Sequence, residues 1–196
     1  MTLFLASKSA ARAAILKGAR VDFEAVSAGV DEAPLKAEAL ARRESPRRIA
    51  EILAEAKAVA ASRGTPNLVI GADQTLELDG RLFDKAETLA EARDNLLALR
   101  GRAHRLHSAV ALAHNGRTVW RNVQMASLTM RDFSDAFADR YLAQNAEAVL
   151  ACVGGYELEG EGVQLFSAIE GDYFTILGLP ILPLLTELRR LELVPA

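Results

Sequence analysis

A continuous apolar run at residues 68–72 constrains the fold more than any other segment of this sequence. An uninterrupted run of this kind is typical of a strand that is buried on both faces, at the centre of a sheet. Asp73 and Gln74 follow the run directly. Residues 75–83, with an Asp-Gly pair in their middle, predict a hairpin. We therefore expect a central strand that carries two polar side chains at its end.

The segments around this run predict a mixture of strands and helices. Further strands are expected at residues 3–6, 21–27, 105–113, 117–129 and 163–169. Helices are expected at residues 10–17, 45–62, 88–100, 134–143 and 180–191, and residues 30–34 are typical of an acidic turn. Hairpins interrupt this order, and no regular strand–helix–strand repeat is present. The expected fold is therefore a mixed α/β or α+β arrangement.

Length and composition limit the domain count and the partners. A chain of 196 residues suits one structural unit, expected as a single domain over residues 1–196 with two lobes. The net charge of −3 disfavours broad binding to nucleic acids or anionic membranes. The lone cysteine, Cys152, fits a reducing compartment. We expect a cytoplasmic protein that binds a small molecule and has no nucleic-acid or membrane partner; a homodimer is one open alternative.

Acidic residues supply the first candidate site. A carboxylate that follows a buried strand is costly unless it is paired or bound to a metal. Asp73 is therefore a candidate functional residue, with a turn-forming role as the alternative. Asp31 and Glu32 precede Pro34, which is also an ordinary loop composition. Hard divalent cations prefer carboxylate oxygens, and Mg²⁺ that bridges phosphates uses only one or two of them.

Basic and hydroxyl side chains supply the second candidate site. Ser7 and Ser9 lie in a turn before a helix, and Arg12 follows one turn later, a pattern that suits a bound phosphate. Ser9 is equally well explained as an N-cap, and Arg12 as a solvated helix residue. Lys57 lies at the edge of the apolar stripe of its helix, whereas a solvated lysine more often lies opposite such a stripe. Lys85 is best explained by the sequence alone as a surface lysine.

Two histidines lie close together on a predicted strand. His104 and His107 are three residues apart, so their side chains are expected on opposite faces of the sheet. Side chains on opposite faces cannot share a metal ion. Both are therefore interpreted as non-catalytic.

In their order and spacing, these segments resemble the Maf family. The motifs that carry the resemblance run from residue 3 to about residue 190. They are Leu5-Ala6-Ser7-Lys8-Ser9 with Arg12, Phe23-Glu24, Asp31-Glu32, Lys57, Gly71-Ala72-Asp73, Asp79-Gly80 with Lys85, Gly101-Arg102 with His104, Gly155-Tyr156 with Glu159-Gly160, and Ile169-Glu170-Gly171-Asp172-Tyr173 with Gly178-Leu179-Pro180.

The resemblance implies a fold and an activity. The fold is an α/β form with two lobes around a deep cleft, similar to that of inosine triphosphate pyrophosphatases. The activity is hydrolysis of a nucleoside triphosphate to the monophosphate and pyrophosphate, with Mg²⁺ or Mn²⁺ as cofactor. The family is also linked to inhibition of septum formation. A nucleotide-binding regulator of cell division with little turnover is therefore the rival interpretation.

The resemblance also implies a role for individual residues. Asp73 matches the family's proton acceptor, and Glu32 matches an acidic residue needed for catalysis and, together with Asp73, for the metal. The positions that match phosphate-binding residues of the family are Ser7, Ser9, Arg12, Lys57 and Lys85.

The chain departs from the family pattern at the first motif. The usual Ser-Pro-Arg-Arg loop is replaced, with Ala10 and Ala11 where the proline and one arginine stand. Gln74 and Glu159 match the branch that resembles 7-methyl-GTP pyrophosphatases, although that branch has a bulky aromatic at the position of Ala11. These three positions, Ala11, Gln74 and Glu159, are therefore the expected specificity residues. A dTTP/UTP pyrophosphatase of the same family is the alternative.

Overall fold

The computed structural model describes residues 2–195 and contains a mixture of strands and helices. The strands are β1 (Leu3–Ala6), β2 (Glu24–Ala25), β3 (Leu68–Leu78), β4 (Arg81–Phe83), β5 (Ala103–His114), β6 (Arg117–Met130) and β7 (Phe166–Glu170). The helices are α1 (Ala10–Gly18), α2 (Glu32–Ala41), α3 (Pro46–Ala61), α4 (Leu89–Leu99), α5 (Asp135–Gln144), α6 (Ala146–Ala151), α7 (Tyr173–Ile176) and α8 (Ile181–Arg190), with a 3₁₀ helix at Glu161–Leu165.

The strands form one mixed sheet. Its order is β2-β1-β3-β5-β6-β7, and β4 pairs with the second half of β3. β1 runs parallel to both β2 and β3, whereas β3, β5, β6 and β7 are antiparallel to their neighbours. The predicted mixed α/β class, with hairpins in the sheet, is confirmed.

One edge of β3 is interrupted between two short partner strands. β1 pairs with residues 68–71 of β3, and β4 pairs with residues 76–78. Both lie on the side of β3 that β5 does not occupy, because β5 pairs along residues 69–77. Among the described strands, none covers residues 72–75 on this edge. We call this stretch the β3 gap.

Two apolar clusters cover one face of the sheet. One packs against α1 and α8, and the other packs against α4 and α5. The first joins Ile70 and Ala72 of β3 to Leu16 and Leu184. The second joins Leu76 of β3 to buried side chains of α4, α5 and α6. Because even-numbered residues of β3 enter both clusters, they share one face of the strand. The odd-numbered residues face α3.

Gly71 allows α3 to pack directly on the backbone of β3. A Cβ atom at this position would clash with the carbonyl oxygen of Ala54 and would lie 2.5 Å from the amide nitrogen of Ala58. Three small side chains of α3, Ala50, Ala54 and Ala58, are buried against the sheet. This close approach sets the distance between the side chains of α3 and the odd-numbered residues of β3.

Several sequence predictions need correction. Asp73 does not end its strand, because β3 keeps its pairing with β5 through residue 77. The predicted acidic turn at residues 30–34 is instead the start of α2, where Asp31 is the N-cap and its carboxylate accepts a hydrogen bond from Ala33 N. The strand expected at 163–169 begins only at residue 166, after a 3₁₀ helix. α6 and α7 were not predicted.

Among the helices of residues 2–195, none has the length and apolar character that crossing a membrane requires.

Candidate active site

Arg12 connects the start of α1 to the β3 gap. Its Nη1 donates to the carbonyl oxygen of Ala72 at 2.9 Å, and its Nε donates to the carbonyl oxygen of Gly178 at 2.8 Å. Nη1 also donates to Ser7 Oγ at 3.3 Å. Arg12 therefore satisfies a backbone acceptor that lacks a strand partner there. Burial lowers the pKa of Arg12, and the carboxylates of Asp73 and Glu32 oppose this effect.

The two serines of the first turn have different partners. Ser9 is the N-cap of α1, and its Oγ accepts a hydrogen bond from Arg12 N at 3.3 Å. Ser7 Oγ accepts hydrogen bonds from Ser9 N and from the Arg12 guanidinium. The N-cap interpretation of Ser9 is therefore confirmed. Phosphate binding by both serines stays a prediction.

A buried lysine joins two carboxylates beside the β3 gap. Lys57 Nζ lies 2.7 Å from Asp73 Oδ1 and 2.9 Å from Glu32 Oε2. Lys57 and Asp73 are each 8% exposed, whereas the side chain of Glu32 is 49% exposed. The lysine at the edge of the α3 stripe is therefore buried, and Asp73 is paired. We call Lys57, Asp73 and Glu32 the carboxylate–lysine cluster.

The surroundings of Asp73 favour its protonated form. Burial raises the pKa of Asp73, while Lys57 and Arg12 lower it and Glu32 raises it further. The net direction is upward, so this carboxyl takes up a proton more readily than a solvated aspartate does. A carboxylate with a raised pKa is suited to accept a proton from a reacting group near neutral pH.

The cluster fits a divalent cation that also binds substrate oxygens. Within residues 2–195, no group of three or more His, Cys, Asp or Glu residues is arranged to hold a metal ion alone. Asp73 and Glu32 nevertheless lie close to each other, because each contacts the Lys57 ammonium with one carboxylate oxygen, at 2.7 and 2.9 Å. Mg²⁺ typically binds one or two carboxylates together with waters and substrate phosphates. This donor set matches that requirement.

An apolar groove lies between α1 and the α7–α8 segment. Its volume is about 470 Å³. Ala11 and Ile15 line one wall, Phe174 and Leu177 line the other, and Glu159 contributes a carboxylate. Arg12 binds both the carbonyl oxygen of Gly178, the residue after Leu177, and that of Ala72, so the groove lies close to the β3 gap. Two of the three expected specificity residues, Ala11 and Glu159, thus line one groove.

A family model for a Maf-like protein matches residues 2–191. The chain belongs to the Maf family. A nucleoside triphosphate pyrophosphatase of Caulobacter vibrioides is 62% identical over 185 residues, which is 94% of this chain and 93% of that protein. A 7-methyl-GTP pyrophosphatase of Brucella abortus is 48% identical over 96% of this chain and 95% of its own. A 7-methyl-GTP pyrophosphatase of Rhizobium meliloti is 49% identical over 99% of this chain and 98% of its own.

In this Maf chain, Gln74 has a structural task that the sequence did not reveal. Its Nε2 donates to Ser108 Oγ at 2.8 Å and to the carbonyl oxygens of Thr175 at 3.1 Å and Ile176 at 2.9 Å. The amide therefore fixes α7 to the face of β3 opposite Asp73. Replacing Gln74 would therefore also remove these contacts with α7.

Lys85 is exposed in the loop between β4 and α4. Its charge lowers the pKa of Cys152, which burial raises to about 11 overall. Among the described residues, no hydrogen bond or ion pair connects Lys85 to Asp73 or Glu32. A phosphate-binding role for Lys85 stays a prediction.

His104 and His107 have separate surroundings. His104 Nε2 lies 2.7 Å from Tyr156 Oη in the core, and His107 Nε2 lies 2.7 Å from Glu77 Oε2. Burial lowers the pKa of His104 to about 4. His104 therefore belongs to the packed core.

The sequence reasoning missed Lys36. It lies in α2, four residues after Glu32, so both side chains project from the same side of the helix. Burial lowers the pKa of Lys36, while Asp73 and Glu32 raise it. The available signal was the four-residue spacing of Glu32 and Lys36. This spacing places the two side chains on one side only when residues 32–41 form a helix.

Proposed function

We propose that this Maf protein hydrolyses nucleoside triphosphates to monophosphates and pyrophosphate, uses Mg²⁺ or Mn²⁺, and prefers a 7-methyl-GTP-like base to dTTP and UTP. The observation that carries the proposal is the carboxylate–lysine cluster beside the β3 gap. It combines a proton acceptor of raised pKa with cations and with two oxygens that suit a metal. The names of the similar proteins in Caulobacter, Brucella and Rhizobium support the reaction class.

Asp73 is the general base of the reaction. A water molecule attacks phosphorus, the bond to the oxygen between the α and β phosphates breaks, and the carboxylate takes the water's proton. Lys57 binds Asp73 Oδ1 at 2.7 Å, which fixes the carboxylate and leaves Oδ2 to accept the proton. Positioning a base in this way typically contributes a factor of about 10² to 10⁴ in rate.

Arg12 and the metal-binding carboxylates act on the phosphates. Two carbonyl oxygens fix the guanidinium, and its remaining N–H groups lie at the gap. Because the side chain is already ordered, binding a phosphate there costs little additional side-chain entropy. Glu32 and Asp73 would hold the divalent cation, which supplies Lewis-acid polarisation of the phosphate oxygens when it is bound. Glu32 is the more exposed of the two and can turn toward an incoming substrate.

Base preference is proposed to depend on the groove that begins at Ala11. A guanine ring presents N1–H and an amino group on one edge, and N7 methylation adds positive charge; both suit the carboxylate of Glu159. Thymine and uracil present carbonyl oxygens on either side of one N–H, and a carboxylate repels these oxygens. A mispaired polar edge costs about 1 to 3 kcal/mol, which corresponds to about a tenfold to hundredfold preference.

The test compares kcat/KM for 7-methyl-GTP, GTP, dTTP and UTP, with pyrophosphate release as the readout. The wild type is expected to have a kcat/KM for 7-methyl-GTP about tenfold to hundredfold higher than for dTTP or UTP. Glu159→Gln is expected to reduce this ratio. Glu157→Gln is the matched control, because Glu157 is an exposed glutamate of the same loop that does not line the groove.

Two results would contradict the base preference but leave the reaction class intact. One is a wild-type preference for dTTP or UTP. The other is an unchanged ranking of substrates in Glu159→Gln. Release of orthophosphate as the first product, without pyrophosphate, would contradict the reaction class itself.

A further inference from the structure

Lys36 belongs to the surroundings of the carboxylate–lysine cluster but has no partner within it. α2 carries Glu32 in its first turn and Lys36 one turn later on the same side. The ammonium of Lys36 forms an ion pair with Asp84, in the loop that follows β4. The side chain of Lys36 is 21% exposed, whereas that of Asp84 is 70% exposed. The lysine is thus held near the site by a partner that is mostly in solvent.

The other cations of the site are partly engaged by the protein. Lys57 lies between Asp73 and Glu32, and Arg12 donates to Ala72, Gly178 and Ser7. A triphosphate that approaches Asp73 and Glu32 brings several negative charges to two carboxylates. Positive charge in addition to that of Lys57, Arg12 and the divalent cation would reduce this repulsion further. Lys36 lies one turn after Glu32 on the same side of α2, so its ammonium is on the Glu32 side of the cluster. Consistent with this position, Asp73 and Glu32 oppose the lowering of the Lys36 pKa by burial.

The ion pair with Asp84 is weak enough to be exchanged. Ion pairs with a solvent-exposed partner typically contribute little to stability, because water screens the charges and two long side chains must be ordered. Phosphate oxygens carry more charge than one carboxylate and accept strong charge-assisted hydrogen bonds from an ammonium. A substrate at the cluster therefore competes well for Lys36.

We propose that Lys36 is a phosphate-binding residue of the active site, whose ammonium exchanges Asp84 for the phosphate chain of the substrate and for the pyrophosphate product. This role rests on the function proposed above. It adds a cation from α2 to those of α1 and α3. Helix α2 then contributes both an acidic and a basic group to the same substrate.

The experiment measures pyrophosphate binding in the presence of Mg²⁺ by isothermal titration calorimetry, together with steady-state kinetics on GTP. Lys36→Met is expected to weaken pyrophosphate binding about tenfold or more and to raise KM, since a hydrogen bond between charged groups is lost. Asp84→Asn removes the same ion pair but keeps the ammonium. It is expected to bind pyrophosphate as well as the wild type or better.

The paired variants separate phosphate binding from a purely structural ion pair. If the ion pair alone matters, Lys36→Met and Asp84→Asn change binding, KM and melting temperature together, and the proposal is overturned. Unchanged pyrophosphate affinity in Lys36→Met also overturns it. Lys36→Arg, which keeps the charge, is expected to retain most of the affinity and serves if Lys36→Met does not fold. Calorimetry needs no turnover. A wild-type protein that binds pyrophosphate but does not hydrolyse GTP would therefore refute the proposed function, whereas phosphate binding by Lys36 would still be tested by the variants.

Discussion

Replacing Asp73 by Asn tests the chemistry with the least change in shape. Asn keeps the size of the side chain and can still accept a hydrogen bond from Lys57, which now lies 2.7 Å from Oδ1. It cannot take up a proton at neutral pH, and it is a poor ligand for a hard divalent cation. Loss of the base alone is expected to reduce kcat by about 10² to 10⁴, or about 2.7 to 5.4 kcal/mol in the activation free energy.

The direction of the stability change follows from the pKa of Asp73. Burial raises this pKa by more than the nearby cations lower it. A group whose folded-state pKa lies above its unfolded value binds a proton more tightly when folded, so its ionised form at neutral pH costs folding free energy. A neutral Asn removes this cost. The melting temperature of Asp73→Asn is therefore expected to equal or exceed that of the wild type at pH 7.

The assay pairs initial rates of pyrophosphate release from GTP with thermal unfolding of the same preparations. Asp94→Asn serves as the control, because Asp94 is an exposed aspartate on α4. It is expected to leave both measurements unchanged. An Asp73→Asn variant that keeps a tenth of the wild-type turnover would refute the role of general base. A variant that loses activity together with its fold would refute the stability argument.

Two further predictions concern folding. Gly71→Ala is expected to lower the free energy of unfolding by about 1 to 3 kcal/mol in urea titrations, because its Cβ would overlap Ala54. Gly18→Ala is the control and should show no loss, because a Cβ there meets no atom within 4 Å. Equal effects of the two substitutions would contradict the close packing of α3 on β3. His104 has a pKa of about 4 in the folded protein, against an ordinary value of 6.5. Between these values the unfolded chain binds more protons than the folded chain, so the free energy of unfolding falls as the pH drops. The expected loss from pH 8 to pH 5 is about 2 kcal/mol. His104→Gln should flatten the dependence of the unfolding free energy on pH in this range. An unchanged slope would contradict the lowered pKa of His104.

The cost of burying charge identified part of the site from the sequence. Asp73 is a candidate because it follows an apolar run, and Lys57 because it lies at the edge of an apolar helical stripe. Both are buried and form an ion pair with each other. These predictions used only local periodicity and the penalty for unpaired buried charge, which do not depend on knowing the neighbouring strands.

The helix that carries Glu32 was missed although its signals are present. Asp31 is a good N-cap, and Pro34 lies in the first turn, where proline is tolerated in helices. The same residues are also typical of a turn, so local preference did not decide between the two structures. Without the helix, the relation between Glu32 and Lys36 could not be seen.

The β3 gap could not be predicted because it depends on pairing between distant segments. β1 and β4 flank the same edge of β3, and the space between them is fixed by the register of both. Periodicity within one segment does not specify which strands become neighbours. The anchoring role of Gln74 is non-local in the same way, since it holds Ile176, which lies 102 positions away in sequence.

Alternation along β3 separates the proposed general base from the proposed recognition of the nucleotide base. Asp73 faces α3 and Lys57, whereas Gln74, the next residue, faces α7 on the opposite side of the sheet. Arg12 lies at the edge of the strand between these two environments, bound to the carbonyl oxygen of Ala72. A substitution on the α7 side can therefore alter the groove while the position of Asp73 relative to α3 is preserved by a different set of contacts. Under the proposed function, a change in base preference therefore does not require a change in the carboxylate–lysine cluster.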